Sequence, residues 1–243
     1  MYIMSQGLFD EETKSALRSI FNQMKKELVD ILVVDDPIAP SSGTPSCATC
    51  KEAKILAEEL ERISGGKLRF HIIGKNSPEA KLLKPRYLPA FIYDTPKRNI
   101  RYYGLPSGQE FAPFIYIHRY VDSGKVKLPD NVVKVVKEID VPLHIKIFVT
   151  PECPYCPLVV DQFNQFGLVN GKLIVETIEA MENPREADIY GVSYVPDVVI
   201  TDPSEYDTYG APPVERINGY LPAEQTVLFL KSAAEKIASK SRR

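Results

Sequence analysis

Ile145-Lys146-Ile147-Phe148-Val149-Thr150-Pro151-Glu152-Cys153-Pro154-Tyr155-Cys156 runs from a buried-strand pattern through a proline turn into a Cys-x-x-Cys pair. The same order occurs upstream in Ile31-Leu32-Val33-Val34 and Cys47-Ala48-Thr49-Cys50. With Cys47 laid on Cys153, Cys50 falls on Cys156, Leu68 on Ile174, Ile72 on Ile178 and Pro78 on Pro184. One inserted residue then brings Leu88-Pro89-Ala90-Phe91-Ile92 onto Val195-Pro196-Asp197-Val198-Val199, and Gly104-Leu105-Pro106 has its counterpart in Gly219-Tyr220-Leu221-Pro222. A period of about 106 residues is too long for a solenoid and suits two domains. Ser123-Gly124 and Pro129 punctuate the join, so the expected division is 1–123 and 124–243.

Both halves read alike. A helix is expected first, over Glu11–Glu27 and over Asn131–Ile139, then a buried strand and the cysteine turn. Ala53, Leu56, Ala57, Leu60 and Ile63 recur at helical spacing, so the first pair opens an amphipathic helix. Strands follow at Leu68–Ile73 and Lys172–Ile178, and short helices start after Pro78 and Pro184. A strand begins at each Leu88-Pro89 or Val195-Pro196 dipeptide, and a hairpin, another strand and a helix from about Gln109 or Ala223 close each half. Strands alternating with helices predict an α/β fold: mixed, partly parallel sheets with helices on both faces.

The 243 residues are 44% hydrophobic and 26% charged with a net charge of −2, which excludes disordered, collagen-like and coiled-coil classes. No apolar run is long enough to span a bilayer, and Met1–Lys14 lacks the basic and apolar regions of a secretory signal. The near-neutral balance gives no reason to expect a nucleic-acid or membrane partner, and a cytoplasmic protein is expected.

The four cysteines form two Cys-x-x-Cys pairs with none left over. A structural zinc site would hold its two pairs closer than the 102 residues between Cys50 and Cys153. A secreted disulfide framework would close longer loops. Two redox-active dithiols fit the spacing best, with metal binding and structural bridges as the alternatives. A thiolate reacts where a thiol does not, and the first cysteine of such a pair, at a helix N-terminus, has its pKa lowered by unpaired N–H groups and the helix dipole. Cys47 and Cys153 are therefore the expected nucleophiles, and Cys50 and Cys156 the shielded resolving thiols one turn deeper. Pro154 suits the first turn of its helix. Pro89 and Pro196, each about 42 residues beyond the first cysteine, read most simply as strand-start residues. Their recurrence raises cis prolines beside the sulfurs, with the backbone of Leu88 or Val195 pairing with an extended substrate.

Cys-Pro-Tyr-Cys resembles the glutaredoxin active site, and a Cys-x-x-Cys followed about 42 residues later by x-Pro resembles the thioredoxin fold. The tandem arrangement is similar to the protein disulfide oxidoreductases of hyperthermophilic archaea and bacteria. Phe148-Val149-Thr150-Pro151-Glu152-Cys153-Pro154-Tyr155-Cys156-Pro157-Leu158, Ile178-Glu179-Ala180-Met181-Glu182-Asn183-Pro184 and Arg101-Tyr102-Tyr103-Gly104-Leu105-Pro106-Ser107-Gly108-Gln109-Glu110-Phe111 carry the resemblance. It implies two tandem thioredoxin-like units; disulfide reductase, oxidase and isomerase activities; and a role in intracellular disulfide handling. It also implies a site of Cys47, Cys50, Cys153 and Cys156 with the cis prolines Pro89 and Pro196, and no cofactor or metal beyond the redox-active disulfides. Protein disulfides are the expected substrates and a thioredoxin-reductase-like protein the expected electron donor. The second half also resembles the N-terminal domain of the flavoprotein that reduces bacterial peroxiredoxins, so a peroxiredoxin electron relay is one alternative function and a metal or iron–sulfur scaffold another.

Departures from that family pattern are specific. The Pro- and Ser-rich stretch 35–46 is longer than its counterpart 150–152 and reads as a loop over the first site. Tryptophan is absent, and Ser41 and Ile147 stand six residues before the first cysteines, where thioredoxin has a buried acid. His71 is expected to face solvent rather than tune Cys50, His118 and His144 to be structural, and Glu176, Glu179 and Glu182 to form a solvated strand-to-helix edge.

Overall fold

The computed structural model describes residues 8–36 and 47–240. Asp10 caps the first helix, α1 (Glu11–Phe21), by accepting the N–H of Thr13. The first half continues with β1 (Leu28–Val34), α2 (Cys50–Ile63), β2 (Leu68–Gly74), α3 (Pro78–Leu83), β3 (Ala90–Ile92), β4 (Ile100–Tyr103) and α4 (Phe111–Ser123). The second half repeats the order: α5 (Asp130–Glu138), β5 (Leu143–Val149), α6 (Cys156–Val169), β6 (Leu173–Glu179), α7 (Pro184–Ile189), β7 (Asp197–Thr201), β8 (Glu215–Asn218) and α8 (Ala223–Lys240). Gly124, in the left-handed conformation (φ 65°) that glycine adopts without strain, ends α4.

The two sets of strands form one eight-stranded sheet in the order β2-β1-β3-β4-β6-β5-β7-β8. In each half the first two strands run parallel and the hairpin strands antiparallel. The halves join where β4 runs parallel to β6, with Ile100 opposite Val175 and Tyr103 opposite Ile178. One face of the sheet buries Phe21, Leu32, Leu60, Phe114, Phe163, Phe166 and Leu230 in a continuous core beneath six helices. The other face is thinner, with Ile31, Val33, Tyr103, Phe148 and Val199 covered by Ala80 of α3 and Ala187 of α7.

Several expectations change in the folded chain. The first helix stops at Phe21 rather than Glu27, because Asp122 accepts the N–H groups of Lys25 and Lys26 at 2.8 and 2.6 Å and draws that segment into a turn. The acidic group is not a solvated edge: Glu176 and Glu179 are buried. Glu176 accepts from Tyr103 Oη (2.7 Å) and Tyr206 Oη (2.8 Å) and pairs with His144 Nε2 at 2.7 Å. Burial alone would raise its pKa, but His144, Arg101 and Tyr103 outweigh that and hold it at about 2. Beside it Glu186 pairs with buried Lys146 (2.7 Å) and with Arg86 of the first half (2.8 Å). His118 pairs with Asp30 at 2.8 Å, both buried, and exposed His71 pairs with Glu79 at 3.0 Å, so the three histidines stand as expected.

Candidate active sites

Each cysteine pair lies where a central strand of its half ends. At the second site β5 leads into a turn closed by Cys153 N–H to Thr150 O (3.2 Å), and Cys153 is joined to Cys156 with Cα atoms 5.5 Å apart. Cys156 is the first residue of α6, and its N–H points at Cys153 Sγ at 3.1 Å. That is the electrostatic arrangement a thiolate needs: an unpaired helix-end donor and the positive end of the dipole aimed at the sulfur. Pro157, not Pro154, occupies the first helical turn, because the helix begins at the second cysteine. Cys153 is 6% exposed and Cys156 fully buried, whereas Tyr155 between them is 59% exposed.

At the first site Cys47 is joined to Cys50 with Cα atoms 5.6 Å apart, and Cys50 likewise opens its helix, α2. Asp35 N–H donates to Cys50 Sγ at 3.3 Å. Here the outer and inner sulfurs do not separate by burial, Cys47 being 6% and Cys50 8% exposed. The expected loop over this site falls mostly in 37–46, outside the described residues, as does Ser41.

Register brings the proline dipeptides to the same ends of the sheet. Val33 in β1 lies opposite Ala90, the residue after Pro89, and Phe148 in β5 lies opposite Asp197, the residue after Pro196. Leu88-Pro89 and Val195-Pro196 are both cis. The proline carbonyls are taken by matching donors, Gly104 N–H to Pro89 O at 3.0 Å and Gly219 N–H to Pro196 O at 2.8 Å. The structure thus brings Cys47 and Cys50 to the strand end that carries Leu88 and Pro89, and Cys153 and Cys156 to the one that carries Val195 and Pro196.

Sequence reasoning missed one buried acid, on a first-half turn that meets the loop ahead of Cys153. A 3-10 turn, Gly108–Glu110, leads into α4 and packs against α6. Gln109 N–H donates to Pro151 O at 2.8 Å, two residues ahead of Cys153, and a side chain on Gly108 (φ +55°) would collide with that same oxygen. Glu110 is fully buried, and neither carboxyl oxygen has a hydrogen-bond partner among the described residues. Burial pushes its pKa up to about 8. The equivalent place in the second half holds Thr226, whose hydroxyl donates to the Leu221 and Pro222 carbonyls. An acid at the start of an apolar helix ordinarily serves the helix dipole in solvent, so only the packing of α6 over this turn reveals that this one is buried.

A family model for the thioredoxin domain matches residues 143–221. The thioredoxin of Methanocaldococcus jannaschii is 36% identical over 79 residues, which are 31% of this chain and 87% of that protein. The chain belongs to the thioredoxin family. Its relation to a component of the alkyl hydroperoxide reductase of Staphylococcus epidermidis is more distant, 24% identity over 174 residues, covering 71% of this chain and 32% of that protein. The chain therefore spans about a third of that relative's length. In fold it is similar to a protein disulfide oxidoreductase from Aeropyrum pernix, with a TM-score of 0.77 and 24% identity over 93% of this chain and 94% of that one. With two Cys-x-x-Cys disulfides at helix starts, this thioredoxin-family member is a thiol–disulfide oxidoreductase.

Proposed function

We propose that the protein acts on protein disulfides as a reductase, oxidase and isomerase, through two thioredoxin-like units, 1–123 and 124–243. The observation that carries this reading is the duplicated site: a disulfide at a helix N-terminus beside a cis-proline strand end, twice in one sheet. In the reductive direction the Cys153 thiolate attacks one sulfur of a substrate disulfide. The substrate S–S bond breaks, a mixed disulfide forms and one substrate thiolate leaves. Cys156 loses its proton and attacks Cys153 Sγ, which expels the second substrate sulfur and leaves the Cys153–Cys156 disulfide. Cys47 and Cys50 perform the same exchange at the first site. Leu88 and Val195 offer backbone groups beside the cis prolines to an extended substrate strand.

The electron donor in this reading is a thioredoxin-reductase-like protein, and the working compartment is the cytoplasm. No helix among the described residues is long and apolar enough to cross a membrane. The likeness to the alkyl hydroperoxide reductase component, which covers 71% of the chain, supports a second reading in which electrons pass on to a peroxiredoxin. Insulin reduction with dithiothreitol and reactivation of scrambled ribonuclease test the proposal. Turnover in both is expected; reduction without reactivation would remove the isomerase assignment, and activity in neither would remove the enzyme. Peroxide consumption by a peroxiredoxin that depends on this protein, without insulin turnover, would select the relay.

A further inference from the structure

The first site is held from the opposite half of the molecule. Thr49 is the N-cap residue of α2, yet its hydroxyl makes no bond to the helix's own N–H groups. It donates instead to Glu182 Oε2, in the turn between β6 and α7 of the second half. The other oxygen, Glu182 Oε1, accepts the Leu105 N–H at 2.8 Å, and the Glu182 N–H donates to Glu179 Oε2 at 2.6 Å. Gly104 makes room for this contact: at φ +101° an added side chain would meet Glu179 Cβ at 2.7 Å and Glu182 Oε1 at 3.3 Å. Its counterpart Gly219 has nothing within 4 Å. The repeat places Asn76 where Glu182 stands, and Asn76 donates to Asp36 of its own half. Among the described residues the docking is therefore made at one site. A cavity of about 430 Å³ lies beside it, bounded by Ala48 and Leu88 of the first half and by Glu182, Arg185 and Asp188 of the second.

We propose that Glu182 is a positioning residue of the Cys47–Cys50 centre, fixing its intervening dipeptide and setting how readily the disulfide is reduced. The inference rests on Cys47 and Cys50 acting as an exchange couple, as read above. Both Glu182 oxygens receive donors, the acceptor-only pattern of an ionised carboxylate. Its charge thus stands at the N-terminal end of α2, where the Cys47 thiolate forms on reduction. Helix-end N–H groups favour an anion there, and a second anion close by opposes it. The thiolate is destabilised, so the disulfide resists reduction. Glu182 also holds the Thr49 hydroxyl, a donor that would otherwise be free to turn toward the sulfur.

The test is the equilibrium of the Cys47–Cys50 couple with glutathione in the full chain carrying Cys153→Ser and Cys156→Ser. Glu182→Gln is expected to shift it about tenfold toward the dithiol, ~30 mV to less negative potential, and to speed alkylation of Cys47 at neutral pH several-fold. Glu182→Asp, which keeps the charge, is expected to stay close to the parent. The Cys153–Cys156 couple, measured in the Cys47→Ser, Cys50→Ser chain, is expected not to move. An unshifted couple in Glu182→Gln, an equal shift in Glu182→Asp, or movement of both couples would each overturn the positioning role. A parent first couple that does not equilibrate with glutathione at all would instead overturn the functional reading beneath it.

Discussion

Replacing Glu110 by Gln changes stability in a way that depends on pH with a predictable sign. In the unfolded chain this carboxyl titrates near 4.5, while in the folded protein burial raises it to about 8. Below 4.5 both states hold the proton, so Glu110 adds no pH-dependent term. As pH rises from 4.5 toward 8, the unfolded chain releases the proton and the folded chain keeps it, so stability falls. The slope is about 1.4 kcal/mol per pH unit, which amounts to ~3 kcal/mol at pH 7 and levels off above 8. Glutamine cannot ionise and carries only the pH-independent cost of a buried amide, about 1–3 kcal/mol where it finds no partner. The stability of Glu110→Gln relative to the parent is therefore expected to rise by ~3 kcal/mol between pH 4.5 and pH 7. Guanidinium unfolding followed by far-UV circular dichroism, at several pH values across that window, measures the difference. A flat difference would refute the reasoning, because it would mean that Glu110 is ionised or hydrogen-bonded in the native protein.

Cys153→Ser is expected to remove most insulin reductase activity and Cys47→Ser only part of it; equal losses would reject the inequality inferred from the exposed Tyr155 rim at one site and the docked Glu182 turn at the other. Glu186→Ala leaves Lys146 buried without its carboxylate and strips Arg86 of a partner, and urea or guanidinium unfolding is expected to show a loss of about 3–5 kcal/mol. Gly108→Ala places a methyl against Pro151 O in a left-handed backbone, so it is expected to cost about 1–3 kcal/mol and to slow exchange at Cys153 more than at Cys47. Protein purified in reducing, chelator-free buffer is expected to carry no stoichiometric zinc or iron by elemental analysis, and chelator treatment to leave insulin reduction unchanged.

What could be read in the chain was local or repeated. Hydrophobic period, prolines at helix starts and the cysteine spacing placed α2, α3, α7 and both disulfides, because each depends on residues within a turn or two of itself. The duplication supplied a second witness at the matched positions, which is how Pro89 and Pro196 stood out from ordinary strand-start prolines. Features made by one half against the other left no such trace. Glu176 looks like a surface acid until Arg86, Arg101 and Tyr206 converge on it from separate elements. The β4–β6 pairing that fuses two sheets into one has no signature in either strand's own composition. Helix α1 ended early for the same reason, since Asp122, almost a hundred residues away, claims the backbone that would have continued it.

The β4–β6 junction also explains how a carboxyl of one half reaches the dithiol centre of the other. Pairing β4 with β6 sets the hairpin end of the first half against the first-to-second strand crossover of the other. Two turns then meet across the junction. The Gly104–Glu110 segment, running out of β4, lies against Pro151 and α6, while the Glu179–Asn183 turn, running out of β6, lies against Gly104, Leu105 and Thr49. One segment sets the Gly108–Glu110 turn against the loop ahead of the second disulfide, and the other brings Glu182 to the first. The same register that joins the sheets thus gives the first dithiol centre a carboxyl from the half that does not contain it, and lays a turn of the first half against Pro151 ahead of the second. The two carboxyls differ in environment: Glu110 is sealed and without partners among the described residues, whereas Glu182 has both oxygens engaged and is suited to hold charge in place. A chain cut at 123/124 would keep both cysteine pairs, but it would lose Glu182 from the first site and the Gly108–Gln109 contact with Pro151 from the second. Separated halves are therefore expected to retain Cys-x-x-Cys disulfides but to differ from the intact chain in thiolate reactivity at both centres, which alkylation rates at neutral pH would read; halves that react as the whole chain does would show that the junction serves folding alone.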